Sequence, residues 1–290
     1  MKIILAEHFG ICFGVRDAIA QAERLAADGP LTILGELVHN PVVRESLSAQ
    51  GVQEGSLAQT DSSISRAVMI TAHGASDARR EQWQAAGFAV TDGTCPLVRH
   101  AHEQLRALVA KGYFPVVLGQ PGHVEVRGLT EDFFGAVVVG DFAGIGQLPG
   151  AARYGVIAQT TQPIEYVHAL VAEIRRAQPQ SEVRFVDTVC KPTKDRQLAL
   201  RRLLAQAELI VVVGGRTSNN TRQLVEAARA AGRRSLHIER AEELAREDFA
   251  EVEIVGVTAG TSTLRETVDA VVARLRDFSL TPTNPNKNQI

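Results

Sequence analysis

Short apolar runs and amphipathic stretches alternate along the whole chain. The apolar runs are rich in β-branched residues and predict strands at 2–6, 31–34, 67–71, 89–91, 114–118, 136–139, 155–158, 183–186, 209–213, 235–238 and 253–257. Helical spacing predicts helices at 15–27, 41–50, 77–86, 96–111, 124–132, 164–177, 193–207, 220–231 and 264–277. In the last of these, Leu264, Val268, Val271, Val272 and Leu275 recur every three to four residues, the stripe of a helix lying on a core. Strands that alternate with helices imply parallel sheets joined by helical crossovers. The unbroken run "LIVVVGG" at 209–215 predicts a strand buried on both faces.

Eleven strands are more than one twisted sheet usually holds, so the chain should subdivide. Its three cysteines suggest where. Cys12 and Cys95 are 83 residues apart, Cys95 and Cys190 are 95 apart, and a segment of similar length follows Cys190. The expected fold class is α/β, with three similar small lobes of parallel or mixed sheets flanked by helices. The lobes are placed at 14–95, at 96–189, and at 190–278 together with the N-terminal stretch 1–13; 279–290 is expected to be a flexible tail. The likeness among lobes is one of architecture; no residue-level repeat stands out.

Charge narrows the partners. Thirty-one basic against 33 acidic residues leave a net of −2, without the basic surplus that nucleic acid or an anionic membrane would demand. No apolar run reaches membrane-spanning length and the N-terminus lacks a signal pattern, so a cytoplasmic protein is expected. An odd number of cysteines suits a disulfide framework badly, and no CxxC pair is present.

Instead, the cysteines share one local address. "GICFGV", "GTCPLV" and "TVCKPT" each follow a strand and open a helix, with Pro96 suited to a first turn. A thiol at a helix N-terminus is expected to have a lowered pKa. Three thiolates from three lobes suit an iron–sulfur cluster with one iron left open, or zinc with a fourth ligand. The residues alone do not separate the two metals.

Other strand ends are crowded with polar groups: His39, His73, His123 with Glu125, Thr160, the run Ser218–Asn219–Asn220, and Ser262. Ligands of open parallel sheets bind outside such carboxyl ends. Helix N-termini with Ser, Asn and His donors suit a diphosphate, although no P-loop motif occurs. By contrast, His100, His102, His168 and His237 fall inside predicted helices or a strand and read as structural.

In order and spacing, "GICFGV", "VHN", "AHG", "GTCPLV", "GHVEV", "QTT", "VCKPTKDRQ", "SNN" and "TAGTS" resemble the LytB/IspH family, the 4-hydroxy-3-methylbut-2-enyl diphosphate reductases, over nearly the whole chain. The resemblance implies a cloverleaf of three lobes around one [4Fe–4S] cluster per chain, held by Cys12, Cys95 and Cys190 with one open iron. It implies reductive dehydroxylation of (E)-4-hydroxy-3-methylbut-2-enyl diphosphate to isopentenyl and dimethylallyl diphosphate, the last step of the non-mevalonate isoprenoid pathway. Reduced ferredoxin or flavodoxin would supply electrons. His39, His73, His123, Ser218, Asn219, Asn220 and Ser262 would bind the substrate, Thr160 would contact its hydroxyl, and Glu125 would deliver a proton. Apart from the resemblance, Glu125 reads as a solvated first-turn residue. Two rival readings stay open: a zinc or iron–sulfur protein that binds or senses a phosphorylated metabolite without catalysis, and an enzyme with the same cluster but another allylic or acyl substrate.

Overall fold

The computed structural model of the chain describes residues 1–61 and 64–280, so the expected tail lies outside it apart from its first two residues. Those two continue a helix. The chain forms two compact units: one from Met1–Ile11, His39–Pro41 and the residues from Asp195 onward, the other from Cys12–Val38 and Val42–Lys194.

Among the described residues there are three four-stranded sheets, all parallel. The second unit holds two of them. One comprises β2 (Leu31–Leu34), β3 (Gln53–Gly55), β4 (Ala67–Ile70) and β5 (Ala89–Asp92) in the order β3-β2-β4-β5. The other comprises β6 (Phe114–Leu118), β7 (Val137–Val139), β8 (Arg153–Ala158) and β9 (Glu182–Phe185) in the order β7-β6-β8-β9. The first unit holds β1 (Lys2–Leu5), β10 (Leu209–Val213), β11 (Arg234–Ile238) and β12 (Ile254–Ala259) in the order β1-β12-β10-β11. With β1 counted as the fourth strand of its sheet, all three sheets share the order 2-1-3-4. The first strand of the chain completes its last sheet, Lys2 pairing with Ile254 and Leu5 with Val257.

The strands persist because both faces are covered. Along β10 the period of two sends Leu209, Val211 and Val213 to a core with Val268, Val271 and Leu275 of α10 (Arg265–Leu280). Ile210 and Val212 go to the opposite core, with Leu200 and Leu203 of α8 (Lys191–Leu204) and Leu224 of α9 (Asn219–Ala230). In the second unit, Val116 and Leu118 of β6 pack against Val167, Leu170 and Ile174 of α7 (Ile164–Ala177). Val117 faces Leu105 of α4 (Pro96–Ala110) and Leu129 of α5 (Val124–Glu131). Each such side chain contributes about 1.5–3 kcal/mol on burial.

The remaining helices are α1 (Phe13–Asp28), α2 (Pro41–Ala49), α3 (Asp77–Ala85) and the single turn α6 (Phe142–Ile145). The expected elements are all present, with ends shifted by a few residues. Sequence reading misses β3, a polar "QEG", together with α6 and two 3-10 turns at Ala241–Glu243 and Arg246–Phe249. These pieces are too short to show a hydrophobic period. No helix among the described residues is long and apolar enough to cross a membrane.

The order 2-1-3-4 matters for function. In each sheet the crossovers diverge between the first and third strands, and a crevice opens beyond their carboxyl ends.

Candidate active site

The same three loops of every sheet carry the candidate residues. After the first strand come His39 (β2), His123 and Glu125 (β6), and Ser218–Asn220 (β10). After the third come His73 (β4), Thr160 (β8) and Ser262 (β12). After the fourth comes a cysteine: Cys95 (β5), Cys190 (β9) and Cys12 (β1).

The second unit contains all three thiols. Cys12 is the N-cap of α1, Cys95 the N-cap of α4, and Cys190 directly precedes α8. The N–H of Cys95 donates to the Ala72 carbonyl at 3.1 Å, and that of Cys190 to the Thr160 carbonyl at 3.0 Å. Gly14 lets the start of α1 come up to Cys95. A Cβ added there would lie 2.4 Å from the Cys95 Sγ.

The expected lowering of thiol pKa is not found at Cys95 or Cys190. Burial pushes the Cys95 thiol up and the Cys190 thiol up to about 11. The N–H groups of Leu97 and Val98 pull Cys95 back, and the Thr193 hydroxyl, 3.1 Å from Cys190 Sγ, does the same there. Charge on Cys12 and on Glu125 raises both further. Desolvation and mutual repulsion outweigh the helix starts. Charge on Cys12 opposes ionisation of both Cys95 and Cys190, and a cation shared by the thiolates would relieve that opposition. These residues fit a thiolate-held metal centre.

Glu125 overturns its reading as a solvated residue: it is 2% exposed. Its carboxylate accepts the Thr160 N–H at 2.6 Å, yet burial still raises its pKa to about 7. His123 caps α5 by accepting the Glu125 N–H on Nδ1 at 3.2 Å, which places the proton of the neutral ring on Nε2. The His73 ring lies edge-on to His123, centroids 5.6 Å apart. Sequence reading misses Gln159. It is fully buried, and its Oε1 accepts the Gln120 N–H at 2.9 Å and a Gln162 amide proton at 3.0 Å. It thereby ties together the loops that carry Glu125 and Thr160. Its only signal is its place beside "TT".

The first unit gathers a different set. Ser218 caps α9, its Oγ accepting the Thr221 N–H at 3.3 Å, so the helix begins at Asn219 rather than at Asn220 as expected. Asn220 Oδ1 accepts the Thr261 N–H at 3.0 Å, which leaves its amide protons as what it offers a ligand. Ser262 Oγ donates to the His39 carbonyl at 3.4 Å, and Asn40 Nδ2 donates to the Ser262 carbonyl at 2.6 Å. Close approach requires two glycines. A Cβ on Gly215 would lie 2.1 Å from the His39 carbonyl, and one on Gly214, whose φ is 146°, would lie 2.7 Å from the Thr221 and Thr263 hydroxyls. Sequence reading gives Asn40, Thr221 and Thr263 no role, although Asn40 stands in "VHN" and Thr221 closes "SNNT". Ser218 and Asn220 thus stand at a helix start, a setting that favours anions, with Asn220 tied to the loop of Ser262, whose hydroxyl reaches the His39 carbonyl.

Fold and site define a parallel-sheet α/β protein with three thiols in one unit and a group of polar residues at a helix start in the other. The family model of the LytB protein matches residues 3–276, and the chain belongs to that family. The 4-hydroxy-3-methylbut-2-enyl diphosphate reductase of Geobacter sulfurreducens is 36% identical over 280 residues, covering 96% of this chain and 98% of that one. That of Aquifex aeolicus is 35% identical over 288 residues, covering 96% and 97%. A solved structure of (E)-4-hydroxy-3-methyl-but-2-enyl diphosphate reductase, the terminal enzyme of the non-mevalonate pathway, is 33% identical, with a TM-score of 0.68 over 96% of this chain and 100% of that one. The corresponding Plasmodium falciparum reductase has a TM-score of 0.87 over 94% and 87% at 23% identity, a likeness of fold.

Proposed function

We infer that this chain is an iron–sulfur oxidoreductase that converts (E)-4-hydroxy-3-methylbut-2-enyl diphosphate to isopentenyl and dimethylallyl diphosphate, the last step of the non-mevalonate pathway. The observation that carries this reading is a buried acid, near neutral pKa and bonded to Thr160, in the unit that holds three thiols. The membership in a family of reductases over nearly the full chain supports it.

Cys12, Cys95 and Cys190 would hold the [4Fe–4S] cluster, which supplies electrons and an iron open to the substrate's oxygen. The rest of the chemistry belongs to side chains. Across the reaction the allylic alcohol takes up two electrons and two protons, its C–O bond breaks and water leaves. Glu125 keeps its proton up to a pH of about 7 because it is desolvated, and it delivers that proton to the departing hydroxyl. Thr160 orients that hydroxyl. His39, His73, His123, Ser218, Asn219, Asn220 and Ser262 bind the diphosphate with side-chain donors and helix-start N–H groups. The three sheets act as three lobes with the bounds 14–95, 96–189, and 190–278 with 1–13. Reduced ferredoxin or flavodoxin is the electron donor, in the cytoplasm, with no nucleic acid or membrane involved.

A sensor that only binds has no use for a buried proton donor, and this weighs against the rival reading. The test uses anaerobically purified, brown protein with a strong artificial reductant and the allylic diphosphate. Mass spectrometry should find both isomeric products. Iron-replete protein that consumes no substrate would refute the reading, and colourless protein with stoichiometric zinc would favour the sensor.

A further inference from the structure

Two of the three cysteine loops follow one pattern that the third lacks. An aspartate stands three residues before the cysteine and a cation four residues after it: Asp92, Cys95 and Arg99 in one loop, Asp187, Cys190 and Lys194 in the other. One carboxylate oxygen of Asp92 accepts the N–H of Thr94 at 3.0 Å, and the other meets Arg99 at 3.4 Å. Asp187 accepts the N–H of Val189 at 3.0 Å and the Lys194 ammonium at 2.6 Å, again on separate oxygens. The bonds beyond the aspartates match too. The N–H of Arg99 reaches the Cys95 carbonyl at 3.0 Å, and that of Lys194 reaches the Cys190 carbonyl at 3.2 Å. Each cysteine N–H is tied to the residue two places beyond the third strand of its sheet, Ala72 or Thr160.

The loop before Cys12 departs from this. Phe9 stands where the aspartate would be, and Arg16, four residues after Cys12, pairs with its neighbour Asp17 at 3.3 Å. The carbonyl of Gly10 is held instead by the buried Arg196 guanidinium. The aspartate pattern is therefore not a general requirement of a helix that starts at cysteine. It does two things at once. Fixing the N–H of the residue before the cysteine removes freedom from the loop before any ligand arrives. Holding a cation one turn along the helix that the cysteine opens fixes a positive charge on that helix.

We propose that Asp92 and Asp187 are positioning residues for the metal group, each clamping the residue before its cysteine and holding a cation one turn behind it. This rests on Cys95 and Cys190 being ligands. Partners of this kind, acting through the ligand, commonly change metal retention by about 10–100-fold when removed.

The experiment uses iron-loaded protein under anaerobic conditions and follows two quantities: the rate of iron release to a ferrous chelator, and the midpoint potential of the bound group. Asp92→Ala and Asp187→Ala should release iron about tenfold faster than the parent. Asp92→Asn and Asp187→Asn keep an acceptor for the loop N–H but free the cation, so release should be intermediate and the potential more positive. Lys194→Gln, which leaves the loop acceptor in place, should shift the potential the opposite way. If an alanine variant does not fold, the Asn and Gln variants decide the matter through the potential, which a purely structural role would not move. Cys95→Ser and Cys190→Ser serve as controls. If they fail to load iron while all aspartate variants behave as the parent, the positioning role is wrong and the ligand assignment stands. If they load iron normally, the ligand assignment itself fails.

Discussion

Asn220 and Glu125 occupy the same place in two different sheets. Each is the second residue of the helix after the first strand, α9 or α5, and each follows an N-cap, Ser218 or His123. Each accepts, through a side-chain oxygen, the N–H of the residue two places beyond the third strand: Thr261 at 3.0 Å and Thr160 at 2.6 Å. The scaffold is the same and one side-chain type differs. Asn220 cannot titrate and presents amide protons, so its loop pair is a fixed anchor. Glu125 holds a proton near neutrality, and the same geometry becomes a proton donor. The repeated fold supplies the hydrogen bond, and under the proposed roles the choice of amide or acid would decide between recognition and chemistry.

The harshest way to break that division is to remove the thiols. Cys12→Ser, Cys95→Ser and Cys190→Ser should each lose most bound iron and bring turnover to background, while inorganic pyrophosphate still binds at the start of α9. Gly14→Ala should act like Cys95→Ser without replacing a cysteine, since its Cβ would lie 2.4 Å from the Cys95 Sγ. Iron content and calorimetric pyrophosphate titration check both halves. If pyrophosphate binding vanishes with the iron, the two sets of residues are not separable as described.

Glu125→Gln makes the acid into an amide of the Asn220 kind. Substrate binding should persist, and single-turnover product formation should fall by about two to four orders of magnitude. The parent's rate should decline as pH rises through about 7, because the protonated acid is the working form, and the variant's residual rate should not follow that curve. Stability has its own sign. Below pH 4.5 Glu125 is protonated in both folded and unfolded chains, and its burial carries no ionisation penalty. Between 4.5 and about 7 only the unfolded chain loses the proton, so stability is lost across that window; above it the full cost, about 3 kcal/mol, is present. Denaturant titrations of iron-free protein at pH 4.5 and 8 should show this loss in the parent and not in Glu125→Gln. Equal losses would mean that Glu125 is not the buried acid it is taken for.

Much of this division is legible in the sequence, and the limits have physical causes. Runs such as "LIVVVGG" announce buried strands because both faces are apolar, and the site residues stand where strands end. The pairing of β1 with β12 is not legible, because hydrophobic pattern says nothing about which distant strand lies alongside. Nor is the burial of Glu125: a carboxylate in a first helical turn is ordinarily solvated, whereas here it is covered and accepts the N–H of Thr160 from a distant loop. The thiols mislead for a related reason. A helix start stabilises a thiolate, but how much water it loses depends on three segments meeting, which no local motif records. The aspartate three residues before Cys95 and Cys190 was visible all along. Its significance lies in its bonds, which two loops make alike.

The mildest test concerns the neighbours Ser218 and Asn219, and it asks which atoms of the anchor matter. Ser218→Ala removes a hydroxyl from the anion site and also the cap of α9, so it should weaken substrate binding about tenfold or more and cost about 1 kcal/mol of stability. Ser218→Asp separates the two effects. An aspartate caps as well as serine does, so stability should return, while its charge opposes the diphosphate and binding should stay weak. Asn219 is the first residue of α9, where the helix start offers an N–H that does not depend on the side chain. Asn219→Ser should therefore shift affinity by less than Ser218→Ala does, by about threefold at most, well under the 1.4 kcal/mol of a tenfold change. Calorimetry with the substrate under non-reducing conditions compares the three variants directly. An Asn219→Ser variant that loses as much affinity as Ser218→Ala would place the side-chain amide, rather than the backbone, at the diphosphate.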